Sequence, residues 1–328
     1  MRAWQVHAWG EPETMRLEVI ANPSPAAGQV LIRNRAASLN FYDLLQIRGQ
    51  YQVKPPFPFA PGGECAGVVE AVGEGVTHVR PGDRVLAVPY TGCMAEFVVA
   101  AAPVTFPMPP SMSFAEASAM TVVYQTSFFA LRDRGQLRAG EWLLVHAGAS
   151  GVGMAAIQLG KAWGARVIAT AGSAEKLAFS LAQGAEFALD YNDPAWVDEV
   201  KRITGGKGAG VIYDPVGGDV FDSSTRCIAP LGRILVVGFA SGRIPSVAAN
   251  RILLKNMSVV GVLWGNQFAA NPEYGAATHA ELSRLYESGR IKPVVARSYA
   301  MEELVEAFRA MASRNVLGKV VVETERLG

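Results

Sequence analysis

Apolar positions in the first third of the chain come as short, β-rich runs: Ala3–His7, Arg16–Val19, Val30–Ala36, Cys65–Val72, Arg84–Val88 and Ala95–Val99. Turn signals stand between them, at Asn22-Pro23, Ala27-Gly28, Gly73-Glu74-Gly75 and Pro81-Gly82-Asp83. Short strands punctuated by Gly and Pro predict a small barrel or sandwich. One helix is expected inside it, around Asn40–Arg48. The proline cluster Pro55–Pro61 bars both helix and central strand, so an ordered loop is expected there.

From Ser113 the period changes. Ser113 followed by Glu116 reads as a capping box, with a helix running to about Met120. A second helix is expected over Val122–Arg134. Strand Trp142–Val145 then leads into helix Gly151–Trp163, where Val152, Ala155, Ala156, Leu159 and Trp163 share one face. Strand Arg166–Thr170 leads into helix Ala174–Ala182, with Ser173 at its N-cap and Gly184 past its end. Strand Glu186–Leu189 precedes a helix with Asp193 as N-cap and Pro194 at its first position, stopped by Gly205-Gly206. Strand Gly210–Tyr213, a helix near Val220–Ala229, and strands Arg233–Val237 and Ser258–Val262 complete six strands. The pattern predicts an α/β protein with a doubly wound parallel sheet. Helices His279–Glu287 and Met301–Ala312 and strand Gly318–Glu323 follow. That tail is too short for a domain and is expected to rejoin the β-rich region. The expected organisation is 1–118, 119–262 for the parallel sheet, and 263–328 returning to the first domain.

Length and composition narrow the classes. The chain has 328 residues, 50% hydrophobic and 18% charged, with net charge +1. No basic stripe suits nucleic acid and no apolar run approaches a membrane span, so neither partner is expected. Met1–Val6 lacks a signal-peptide apolar region, and a soluble cytoplasmic protein is expected. Cys65, Cys93 and Cys227 are scattered, as are His7, His78, His146 and His279, and none shows metal-ligand spacing.

The candidate chemistry starts at Ala147-Gly148-Ala149-Ser150-Gly151-Val152-Gly153. Strand, small-residue turn, helix is the context of a dinucleotide fingerprint, here spaced G-x-x-G-x-G. Ser150, Gly151, Val152 and Gly153 would bring backbone and helix N-terminus to a pyrophosphate. An acidic residue about twenty positions on would hold a ribose diol. No Asp or Glu occurs between Gly153 and Glu175. The second strand ends in Thr170-Ala171-Gly172-Ser173, and Lys176 follows. Hydroxyl, helix start and lysine suit a 2′-phosphate, so NADPH is expected over NADH. His146, at a strand end, is expected to be a packed core histidine.

Several motifs occur together in order: Ser38-Leu39-Asn40-Phe41-Tyr42-Asp43, Arg48-Gly49-Gln50-Tyr51, Pro61–Val69, Pro81–Val85, Val145–Gly153, Tyr213–Gly218 and Gly318–Val321. In these the chain resembles the medium-chain dehydrogenases/reductases, and among them the zinc-free quinone oxidoreductases, over essentially its whole length. The resemblance implies a GroES-like catalytic domain split around a Rossmann domain. It implies Asn40 and Thr126 beside the nicotinamide, and Ser173, Lys176 and Tyr191 on the 2′-phosphate. It also implies Val216, Gly238, Phe239, Ser241 and Asn315 along the rest of the cofactor. Leu45 stands where quinone reductases often carry tyrosine, and Pro215 where serine is usual.

The zinc branch has a cysteine near Ser38–Asn40 and a Gly-His-Glu where this chain reads Gly62-Gly63-Glu64. With Glu64 alone no catalytic zinc site is expected, and Glu64 reads as a hydrogen-bonded structural carboxylate. Hydride transfer without a Lewis acid favours an acceptor that is already electrophilic, a quinone or an enone. Pocket candidates are Asn40, Tyr51, Phe59, Tyr90, Met94, Thr126 and Trp264; Tyr51 is expected either to pack as pocket wall or to donate a hydrogen bond to the reduced oxygen. Phe59 and Trp264 are expected as core. An NADPH-dependent enoyl or enone reductase and a non-enzymatic NADPH-binding protein are the competing readings. The uncharged strand Ser258–Val262 predicts a homodimer through a sheet edge.

Overall fold

The computed structural model describes residues 1–324. In chain order it has strands β1 (Arg2–Gln5), β2 (Arg16–Val19) and β3 (Gln29–Ser38), helix α1 (Phe41–Ile47), and strands β4 (Glu64–Val72), β5 (Arg84–Ala87), β6 (Phe97–Ala101) and β7 (Thr105–Pro107). Helices α2 (Phe114–Ser118) and α3 (Thr121–Phe128) lead to an alternating series. It runs β8 (Trp142–Val145), α4 (Gly151–Ala162), β9 (Arg166–Ala171), α5 (Ala174–Ala182), β10 (Phe187–Asp190), α6 (Trp196–Ile203), β11 (Ala209–Asp214), α7 (Gly218–Cys227), β12 (Ile228–Val236), α8 (Ala249–Lys255) and β13 (Ser258–Gly261). The chain closes with α9 (Trp264–Ala270), α10 (Pro272–Glu287), β14 (Val295–Ala300), α11 (Leu304–Ala312) and β15 (Lys319–Glu323).

Two compact units result. The first comprises Met1–Val122, Asn271–Glu287 and the chain from Pro293 onward; the second comprises Val123–Ala270 and Ser288–Lys292. The first unit is a β-rich body on a seven-stranded sheet ordered β14-β15-β3-β4-β5-β7, with β6 also on β3, beside a β1–β2 ribbon. The C-terminal strand returns as expected: β15 lies antiparallel to β3, pairing Val321 with Ser38 and Val322 with Ala37. Its core gathers Val6, Ile32, Ile47, Phe59, Val85, Met94 and Phe308. Burying such side chains supplies roughly 1.5–3 kcal/mol each.

The second unit is a six-stranded sheet ordered β10-β9-β8-β11-β12-β13. Every adjacent pair is parallel. The two halves run outward from β8 and β11, which places a topological switch point at the carboxyl ends of those strands. The residues that make it fold so are continuous apolar runs, with Leu143, Leu144, Val145, Val211, Ile212, Ile234 and Leu235 all fully buried.

Three local expectations change. The helix expected over Val122–Arg134 is α3 followed by a wider π turn, Phe129–Arg134. Arg233, paired with Glu141 at 2.8 Å, draws the Gly135 and Gln136 carbonyls to its guanidinium. The Gly135 N–H then reaches back five residues to the Ala130 carbonyl at 2.7 Å. Asp193 and Pro194 do not open α6, whose N-cap is Ala195. The Asp193 carboxylate instead accepts from the Ala195 N–H at 2.9 Å, an Asx turn one step before the helix. Helix α8 is additional to the expected elements: its Leu253 and Leu254 face outward, so it shows no inward apolar stripe.

Candidate active site

In the second unit, β8 delivers the chain to the Ala147–Gly153 turn. Ala147 holds φ +51°, and the Ser150 hydroxyl donates to its carbonyl at 2.8 Å. Ser150 is the N-cap of α4, accepting from the Gly153 N–H at 3.1 Å. A Cβ on Gly153 would lie 2.1 Å from the Ala147 carbonyl oxygen, so only glycine lets this turn close. The twelve-residue α4 therefore points a positive dipole end out of a turn of small residues. His146, beneath the turn, is fully buried between the Thr170 and Ser224 hydroxyls, each at 2.8 Å. Burial holds its pKa below the usual histidine range. It is a packed core histidine.

The adjacent strand ends carry the second group. Ser173 caps α5 and accepts from the Lys176 N–H. Tyr191 follows β10, its N–H donating to the Ala171 carbonyl at 3.2 Å. Its hydroxyl lies over Gly172, where a Cβ would come within 2.5 Å of it. Asn192 donates to the Gly172 carbonyl at 3.3 Å. Ser173, Lys176 and Tyr191 thus lie at one corner of the sheet; β9 itself ends without an acid, and the nearest carboxylate is Asp190, which pairs with Ala171 across the strands and accepts from the Asn192 amide at 2.8 Å.

The loops after β11 and β12 are tied together. Asp214 accepts from the Val216 and Gly217 N–H groups at 2.8 and 2.9 Å. The Ser241 N–H donates to the Val216 carbonyl and the Ala240 N–H to the Pro215 carbonyl, at 2.9 and 3.0 Å. Val216, Gly238, Phe239 and Ser241 therefore form one rim at the carboxyl ends of β11 and β12. On α3, Thr126 is half-buried. Its neighbour Ser127 bonds the Val152 carbonyl at 3.2 Å and the Tyr213 hydroxyl at 3.0 Å. Trp264, at the start of α9, is buried.

In the first unit, Asn40 caps α1, and a buried polar network surrounds it. Glu64 is fully buried. One of its oxygens accepts from Ser38 at 2.6 Å, Asn40 at 2.8 Å and Lys319 at 3.0 Å. The other accepts from the Val122 N–H at 2.8 Å. Lys319 also donates to the Asn40 side-chain oxygen at 2.6 Å and to the Leu39 carbonyl at 2.9 Å. Both ends of the Asn40 amide are thereby fixed. Asp43 accepts from the Asn40 N–H at 2.7 Å, and burial pushes its carboxyl up to about 7. Glu64 is the hydrogen-bonded carboxylate expected. The role of Lys319, 255 residues away in the chain, escapes sequence reasoning; its only trace there is its place in the Gly318–Val321 motif.

Aromatic groups stand beside this network. The Tyr51 ring stacks on Tyr42, centroids 5.3 Å apart and planes at 29°. Burial, then the Asp43 carboxyl, raise the Tyr51 pKa. Tyr90 sits at φ +67°, its N–H on the Gly63 carbonyl at 3.3 Å. Phe59 and Met94 are buried within the β-rich core. Asn315 is exposed, in the turn before β15. No group of three or more His, Cys, Asp or Glu side chains among the described residues is arranged to hold a metal. No helix among them is long and apolar enough to cross a membrane.

Comparison with known proteins agrees with this architecture. Residues 26–110 match the alcohol dehydrogenase GroES-like domain, and residues 151–280 match the zinc-binding dehydrogenase domain. The chain is 36% identical to a quinone oxidoreductase-like protein 2 homolog of Nematostella vectensis, covering 99% of this chain and 89% of that protein. It superposes on Escherichia coli quinone oxidoreductase complexed with NADPH with TM-score 0.91 and 30% identity, covering 98% of this chain and all of that one. A mycobacterial protein complexed with NADPH gives TM-score 0.92 and 33% identity, covering 98% and 100%. With a GroES-like β unit interrupted by a 3-2-1-4-5-6 parallel sheet, and full-length likeness at this identity, the chain belongs to the medium-chain dehydrogenase/reductase superfamily, in its quinone oxidoreductase-like group.

Proposed function

We propose that the protein is a zinc-independent oxidoreductase that uses NADPH to reduce a quinone. The observation that carries the reading is the state of Glu64: both its oxygens are taken by protein donors, and Ser38, Asn40 and Gly63 stand where the zinc branch has its cysteine and histidine. Two structures with this fold are NADPH complexes, and the curated relative is named for quinone oxidoreduction.

The residues fit the cofactor. Ser150, Gly151, Val152 and Gly153 offer the pyrophosphate a helix start with its unpaired N–H groups. Ser173, Lys176 and Tyr191 offer the 2′-phosphate hydroxyls and a cation, and the nearby Asp190 carboxylate is engaged by the Asn192 N–H and side-chain amide. Val216, Gly238, Phe239 and Ser241 supply the rim for the rest, and Asn40, Thr126 and Asn315 complete the contacts proposed. Bound NADPH supplies a hydride from nicotinamide C4. The protein itself must hold the acceptor, exclude water and meet the oxygen that gains charge. Tyr51 suits that last role, because a phenol, whose pKa burial here raises further above its ordinary value of 10, is protonated at neutral pH and able to donate a hydrogen bond. An enone meets the same requirements and is the competing acceptor.

The working form is proposed to be a cytoplasmic homodimer. Strand β13 lies at the sheet edge, reads Ser-Val-Val-Gly without charge or proline, and follows α8 with its outward Leu253 and Leu254. The test of function is NADPH oxidation measured across matched quinones and enones. Quinones are expected to turn over at least about tenfold faster in kcat/KM, a transition-state difference of about 1.4 kcal/mol. Preference for enones would overturn the quinone assignment, and silence with both classes would overturn the enzymatic one.

A further inference from the structure

Position 63 is where the zinc branch places a histidine, and here it is glycine. A Cβ built on Gly63 would fall 1.3 Å from the Tyr42 hydroxyl oxygen and 2.5 Å from the ring carbon that bears it. The end of Tyr42 thus occupies the volume that a side chain at 63 would fill. That hydroxyl is buried and has no hydrogen-bond partner among the described residues. A buried orphan hydroxyl weakens a fold, and phenylalanine would remove the cost. The Tyr42 ring carries Tyr51, stacked at 5.3 Å and 29°. Tyr90, held in the left-handed region, ties its N–H to the Gly63 carbonyl. Three tyrosines are therefore referenced to one glycine, and Tyr42 is in direct contact with both Gly63 and Tyr51.

We propose that Tyr42 is a positioning residue: seated on Gly63, it holds the Tyr51 ring by stacking and so fixes where the Tyr51 hydroxyl meets the acceptor oxygen. Gly63 is then a specificity-neutral seat, required because Tyr42 fills its side-chain space. This rests on the reading of Tyr51 as the donor to the acceptor. Two consequences follow from the geometry. Loss of the Tyr42 ring frees Tyr51. A methyl group at 63 evicts Tyr42 and does the same by a different route, so the two changes are not additive.

The test uses full-length protein carrying 3-fluorotyrosine at position 51, with NADPH turnover measured in parallel. Tyr42→Leu is expected to broaden or split the single fluorine resonance and to lower kcat about 10- to 100-fold with little change in KM, the scale of a misplaced catalytic group. Tyr42→Phe keeps the ring and is expected to rescue both readouts. Gly63→Ala should reproduce the loss, and adding it to Tyr42→Leu should lower kcat no further. The proposal is overturned if Tyr42→Leu leaves the resonance unchanged, if Tyr42→Phe is as impaired as Tyr42→Leu, or if the two substitutions multiply. Should the wild type reduce no quinone or enone, the assigned function fails, while the fluorine resonances still decide whether Tyr42 and Gly63 place Tyr51.

Discussion

Replacing Lys319 by methionine keeps most of the buried hydrocarbon and removes the cation. Lys319 is 3% exposed and Glu64 fully buried, with nitrogen and oxygen 3.0 Å apart. The lysine also holds the Asn40 oxygen and the Leu39 carbonyl. After the substitution Glu64 keeps its donors Ser38, Asn40 and Val122 but has no counter-charge. Breaking a buried pair from one side costs about 3–5 kcal/mol. Removing both charges costs less, so Lys319→Met/Glu64→Gln should recover more than half of the loss. Urea unfolding without cofactor measures this. Trp4, whose indole donates to the Met301 carbonyl in the same β-rich unit, is a local reporter. A Lys319→Met stability within about 1 kcal/mol of wild type would refute the argument that this pair holds the Asn40 platform together.

Asp43 sets a pH dependence. Its folded carboxyl is raised from 3.8 to about 7, chiefly by burial, so folding favours the protonated form. Stability from this group is complete below about pH 4 and is lost as pH rises through 7. Relative to Asp43→Asn, wild type should lose up to about 4 kcal/mol across that window, at about 1.4 kcal/mol per pH unit. A pH-independent difference between the two proteins would contradict it. Lys176→Ala should weaken NADPH by about 1–3 kcal/mol and leave NADH nearly unchanged, as calorimetry would show; equal weakening of both would remove Lys176 from the 2′-phosphate site. Val259→Pro deletes an outward-facing donor of β13, whose Val260 and Val262 face β12, and should turn a dimer into monomers in sedimentation. A wild-type monomer at micromolar concentration would refute the dimer.

Much of the parallel sheet is legible in the sequence because its signals are local. Ser113 with Glu116, and Ser173, each cap the helix that their spacing predicts. The β8–α4 turn and the missing acid after β9 are likewise local statements about a few consecutive residues. What stays hidden depends on distance or on burial. Asn40, Glu64 and Lys319 come from three segments that only the β3–β4 and β15–β3 pairings bring together. Tyr42 seats on Gly63 through a close approach that no periodicity encodes. The π turn after α3 reflects Arg233, about a hundred residues later, pulling carbonyls out of helical register. Asp193-Pro194 misleads because the same pair suits an Asx turn and a helix start equally well.

The central claim is that this site moves hydride without a metal, on a platform of Asn40, Glu64 and Lys319 with Tyr51 as donor. Turnover of NADPH with a quinone, measured on protein exposed to strong chelator and assayed for bound metal by mass spectrometry, tests it most directly. Unchanged kcat at substoichiometric metal is the predicted result. A stoichiometric zinc whose removal abolishes turnover, and whose return restores it, would contradict the account.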